Sequence, residues 1–210
     1  MTDTPDPEWN PSDYVFDFPE SLFPGGPLVE MPLIHKVNKV REYLAEILSG
    51  SVRCVTIGSE IPATLAGLAV VDYLAGFYAG RQSQSADYVA FMDRYFPERY
   101  KPHLQAIYTN LRCGLMHNLV ATNPWQGRHP HFLLVGNCEP HMAIEDDRIV
   151  FCVQRFLEDI RRAWIKYAYD LIMRCDENAI LVKHFERRFN KLCGSGAFMV
   201  KVPDQSTGTT

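Results

Sequence analysis

The sequence predicts an all-α fold, a bundle of five to six helices with a small β-hairpin insertion, on three observations. Apolar residues recur at three- and four-residue intervals through most of the chain, the spacing of one helical face. Prolines stand at the ends of those runs, at positions 32, 62, 97 and 102, where a helix can start or must stop. One stretch, 121–153, abandons that spacing for short β-branched and aromatic runs between proline and glycine.

The elements follow in chain order. Residues 1–30 carry seven acids and neither Lys nor Arg, and seven of the fourteen prolines fall in the first 32 positions. This segment reads as an extended, acidic N-terminal arm, with Tyr14, Phe16, Phe18 and Phe23 able to lie along the body. The whole chain carries −4 and the arm −7, which leaves a body of +3. The helical domain is read over 31–196. Its first helix opens at Pro32, shows Ile34, Val37, Val40, Tyr43, Leu44, Ile47 and Leu48 on one face, and should stop at Gly50. The second is expected from a Ser59 cap to about Gly80, and the third over 85–95 with Tyr88, Phe91, Met92 and Tyr95 turned inward. A fourth runs from Pro102 to about Asn118. Within the insertion, Phe132–Val135 and 148–153 read as strands, and Asp146-Asp147 as a turn. Two more helices are expected over 154–174 and 177–193, before a polar tail at 197–210.

Composition narrows the class. Apolar residues at 47 % and charged residues at 22 % are ordinary for a folding chain of 210 residues. Six scattered cysteines without a C-x-x-C pair, and an N-terminus without a leader pattern, point to reduced thiols and a cytoplasmic setting. The apolar run 61–80 has the length of a membrane span. It carries Asp72 at its middle and many small residues, so it reads as the central helix of a bundle, with no membrane involved.

The fourth helix carries the chemistry-bearing residues. Leu104, Ile107, Tyr108, Leu111 and Leu115 share its core face, while Cys113, Met116 and His117 fall on the opposite side. A helix apolar on a second side is central or covered by another subunit. The run Arg112-Cys-Gly-Leu-Met-His117 resembles the R-x4-H motif of HEPN domains, helical bundles found among RNA-cleaving toxins and phage-defence proteins. The resemblance spans about ten residues around that motif. It implies a metal-independent endoribonuclease that needs no cofactor. His117 would be the general acid/base, Arg112 would stabilise charge on the phosphate, and two copies would share one cleft. Asn118 and Asn110 would orient the imidazole or contact RNA. Cys113 stands beside them, where the family often has a polar residue. RNA, a second copy of the chain and an antitoxin are the partners implied. The alternative is a HEPN-like module kept for dimerisation or nucleotide binding, with Arg112 paired to an acid on a neighbouring helix and His117 at the helix's negative end.

Two further groups bear on function. His129, His131, Cys138 and His141 are a chemically sensible zinc set, but their spacing matches no standard pattern. They read equally as an ordinary strand–turn–strand segment in which His131 and His141 are cross-strand neighbours or mark a wall of the cleft. The last two helices carry Arg155, Arg161, Arg162, Lys166, Arg174, Lys183, Arg187, Arg188 and Lys191 against six acids. That surface reads either as a phosphate-contacting face or as a solvated exterior laced by Glu158–Arg162 and Asp170–Arg174 pairs.

Overall fold

The computed structural model describes residues 32–121, 131–136 and 140–194, of which 74 % are helical. The acidic arm, the polar tail, His129 and Cys138 lie outside the described residues. Six helices surround a common core, with a small three-stranded sheet against one side.

Helix α1 spans Leu33–Thr56 and runs through Gly50, which was expected to end it. A glycine inside a helix costs about 1 kcal/mol. Ser51 is buried beyond it and Cys54 and Val55 pack on the core, so tertiary contacts carry the helix onward. It stops at Gly58, which is left-handed (φ 74°). There Gly58 N donates to Val55 O and Ser59 N to Cys54 O, the paired bonds of a glycine-terminated helix. Helix α2, Glu60–Ala79, closes the same way at Gly80, and its start has no side-chain bond from Ser59. By length and composition α2 is the one helix among the described residues that could cross a membrane. Here it is the centre of the bundle, in contact with α1, α3 (Ser85–Tyr95), α6 (Val153–Ile172) and α7 (Ala179–Gly194). Gly67 permits the close approach of α6, since a Cβ there would stand 2.9 Å from the Phe156 ring.

The fourth helix is one rod with three pitches. A 3-10 segment, Glu98–His103, leads into one α turn, α4 (Leu104–Ala106). A π-helix, Ile107–Arg112, follows, and α5, Cys113–Asn118, finishes the rod. Leu119 ends it in the left-handed region (φ 56°), a costly conformation for leucine.

The insertion holds a three-stranded sheet ordered β1-β3-β2, not a lone hairpin. Strand β1 (His131–Val135) runs parallel to β3 (Arg148–Cys152), and β2 (Ile144–Glu145) is antiparallel to β3. The β2–β3 turn is Asp146-Asp147, both at positive φ, as the turn reading required. A parallel pair needs a crossover of about a dozen residues, which the segment between β1 and β3 supplies. With two residues, β2 is too short to leave a periodic signal.

Candidate functional site

The motif residues sit where the rod changes pitch. Arg112 is the last π-helical residue, and π turns inside α-helices concentrate at functional sites. The wheel drawn from the sequence holds in outline: Leu104, Ile107, Leu111 and Leu115 are buried, while Met116 and His117 are exposed. Cys113 is half-buried.

Arg112 has a definite partner. It donates from Nε (3.1 Å) and Nη2 (2.5 Å) to one oxygen, Oδ2 of Asp72, at the middle of α2. The Ser83 hydroxyl donates to the other oxygen, Oδ1, at 2.5 Å, so Asp72 is held from two sides. Tyr108, one turn earlier on the rod, lies under the guanidinium at 5.4 Å from its ring centre. Partial burial works against the Arg112 charge, but the hydrogen bond and charge of Asp72 outweigh it, leaving its pKa above the ordinary arginine value. Among the described residues the third nitrogen, Nη1, meets only the Cys113 thiol at 3.8 Å, a weak acceptor. The pair is partly open to water, 22 % and 23 % exposed.

His117 and Asn118 lie exposed in the last turn of α5, among apolar neighbours that also face water: Met116 is 50 % exposed and Leu119 65 %. Asn110, expected as an orienting or RNA-contacting amide, is instead inside at 1 % exposed. Its Oδ1 accepts from Thr109 Oγ1 at 3.0 Å, so the side chain serves the interior. The widened π turn explains this, because it brings both Asn110 and Leu111 to the core side. Sequence reasoning missed Ser83 altogether, and nothing in its polar loop marks it. Asp72 did leave a signal, as the lone charge in an apolar helix.

Of the histidine–cysteine set, the two described members, His131 and His141, lie apart. His131 pairs with Arg148 at the start of β3, whereas His141 receives the N–H of Cys152 at its far end, 2.9 Å from Nδ1. Four residues of strand separate them, so they are not cross-strand neighbours. His141 is buried and both ring nitrogens are bonded, the second to Tyr100 Oη at 2.7 Å. Tyr100 donates to Asp159 Oδ2 (2.9 Å), and Arg99 pairs with the same carboxylate. With Nδ1 accepting, the proton belongs on Nε2, and the chain runs His141 to Tyr100 to Asp159. Among the described residues no three His, Cys, Asp or Glu side chains stand ready for a metal ion.

On the basic helices, Asp170 does pair with Arg174, at 3.8 Å. Glu158 pairs with Arg155 at 2.9 Å. Arg162 faces Asp159 at 4.0 Å.

No protein-family profile matches the chain, and no curated protein or solved structure matches it either.

Proposed function

We propose that the chain is a HEPN-like helical protein that cleaves RNA without a metal, through Arg112 and His117, in a cleft completed by a second copy. One observation carries the reading. Asp72 fixes one edge of the Arg112 fork and leaves Nη1 against a thiol, its only contact among the described residues, on the rod that ends in an exposed imidazole. An arginine oriented in this way is prepared for an anion, since its fork need not be ordered when a phosphate arrives.

The chemistry is a transesterification. An imidazole takes the proton of the ribose 2′-OH, the O2′–P bond forms and the P–O5′ bond breaks. An imidazole returns a proton to the leaving 5′-oxygen. Arg112 balances the charge growing on the phosphoryl oxygens. Residues five apart on an α-helix point about 140° apart, so Arg112 of one copy and His117 of the other serve one phosphate most directly. Exposed Met116 and Leu119 beside the motif suit such a contact between copies.

A second reading is favoured by a different fact: Asp72 neutralises Arg112, which weakens its pull on a phosphate. On that reading the rod is a dimerisation face without catalysis, and an antitoxin-type partner has no role.

Cleavage of several RNAs in EDTA, by wild type and His117→Ala, separates the two. Products ending in 2′,3′-cyclic phosphate or 3′-phosphate, lost in the variant, support the nuclease. Removing a preorganised charge of this kind costs about 10²–10³-fold, so Arg112→Gln should fall in that range. Clean wild-type protein that cuts nothing, yet sediments as a dimer, supports the dimerisation module.

A further inference from the structure

A second place on the molecule has the makings of a ligand site, and neither Arg112 nor His117 lines it. A cleft of about 740 Å³ opens between the end of α2, the two ends of α3, and the beginning of α7. That volume is within the usual range for small-molecule pockets, about 300–1,000 Å³. Three arginines, Arg81, Arg94 and Arg187, stand along it against two acids, Asp87 and Glu177, and His184 lies among them.

The basic groups are held in place by bonds that leave part of each in reserve. Arg187 donates from Nε to Gly80 O (2.7 Å) and from Nη2 to Ala79 O (3.2 Å), which caps the negative end of α2. Arg81 reaches Asp87 at 2.9 Å. Arg94 donates to Asp170 (2.9 Å) and to Asn178 Oδ1 (3.1 Å). His184 gives its Nδ1 proton to Tyr78 O at 2.9 Å, because a carbonyl can only accept. Its Nε2 is therefore the nitrogen left for a ligand, the arrangement by which a backbone carbonyl orients a working histidine. Gly80 makes the whole assembly possible. It is left-handed, and a Cβ there would stand 2.7 Å from Arg187 Nη2 and 2.8 Å from the His184 backbone.

The start of α7 adds to this field. Asn178 precedes the helix, and its side-chain oxygen accepts from Arg94, a bond outside the helix's first turn. The opening N–H groups of α7, at Ala179, Ile180 and Leu181, find no acceptor within the helix and carry its positive end. Tyr78, Ile180 and Leu181 also give the cleft an apolar wall.

We infer that this cleft binds a nucleotide unit, its phosphoryl group among Arg81, Arg187 and His184 and its base against the apolar wall. The unit can come as a free mononucleotide or as one residue of a single strand. The inference is independent of the Arg112/His117 reading.

The test uses the full chain in calorimetric titrations with AMP, with inorganic phosphate, and with a 2′-O-methylated ten-residue oligoadenylate that cannot be cleaved through its 2′-oxygen. Two variants accompany it. His184→Asn keeps the donor to Tyr78 O and removes Nε2, and Arg81→Gln removes one cation. Saturable binding of AMP or the oligonucleotide, weakened at least about tenfold in the double variant at unchanged Tm, establishes the site. AMP binding with competition by phosphate assigns it to a free nucleotide, and binding of the oligonucleotide alone assigns it to a strand. No saturable heat with any probe overturns the proposal. So does oligonucleotide binding that survives the double variant but is lost in Arg112→Gln, which would place the strand on the motif rod alone.

Discussion

Two of the arginine–aspartate pairs among the described residues, each with a tyrosine ring against its arginine, have opposite fates. At Arg99–Asp159, the carboxylate is fully buried, Tyr100 bridges it to His141, and both imidazole nitrogens are bonded. At Arg112–Asp72, the carboxylate is partly open, Tyr108 lies under the cation, and the histidine stands in water. Residue types do not separate them. What separates them is where the carboxylate and the histidine lie: both are buried in the first, whereas in the second the carboxylate is partly open and His117 is exposed. The first pair therefore specifies the packing of α6 against the sheet and the 3-10 turn. The second is the one that can meet a ligand.

The sharpest way to break this contrast is to remove each carboxylate's charge in turn. Asp159→Asn takes the charge from a fully buried carboxylate that Arg99 and Tyr100 share, a loss of about 3–5 kcal/mol. Thermal unfolding should show a fall large enough to threaten folding. A drop of less than about 1 kcal/mol would mean that the site is wetter than the structure shows.

The two tyrosines offer a gentler comparison. Burial first, and then the neighbouring Asp159 charge, push the Tyr100 hydroxyl well above the ordinary phenol value. The folded chain keeps a proton that the unfolded chain gives up near pH 10. Stability from this residue is thus whole below about pH 10 and falls above it, by about 1.4 kcal/mol per pH unit. Tyr108 is also raised, by a modest burial that Arg112 opposes. In a spectrophotometric titration Tyr108 should ionise before unfolding and Tyr100 only with it. Comparison of wild type with Tyr100→Phe and Tyr108→Phe assigns the two steps, and reversal of their order would contradict the burial.

Asp72→Asn should change least in stability, at most about 1 kcal/mol for a half-open pair. Its larger effect belongs to function. With Arg112 released, cleavage should fall while RNA binding persists or rises, because a neutralising anion has gone. A variant that loses stability like Asp159→Asn would show that Asp72 serves the fold alone.

Much of this architecture was legible in the sequence, and the exceptions share a cause. The third helix was read at its observed bounds, because Tyr88, Phe91, Met92 and Tyr95 leave only one way to bury themselves. The helices at 153–172 and 179–194 were placed to within about two residues for the same reason. Gly50 misled because local propensity argued for a stop, and packing beyond it outweighed that preference. The parallel β1–β3 pairing and the Asp72–Arg112 bond join residues far apart in the chain, and a single sequence carries no trace of which distant partner a strand or charge will choose. Of the site, the motif residues are visible in the sequence, but the burial of Asn110 is not, because no residue in Ile107–Arg112 marks the change of pitch there.

That change of pitch has a consequence of its own. A π turn is the footprint of one extra residue accommodated without breaking the rod. Every position after it is out of phase, by about 100°, with the frame set by Leu104. Arg112 and His117 thus owe their headings to a count rather than to a contact. Deleting Thr109 would let the rod relax to an uninterrupted α-helix and swing the motif sideways, with Asp72, Ser83 and His117 all still present in the chain. A single-codon deletion is thus a more searching probe of this face than any side-chain replacement on it.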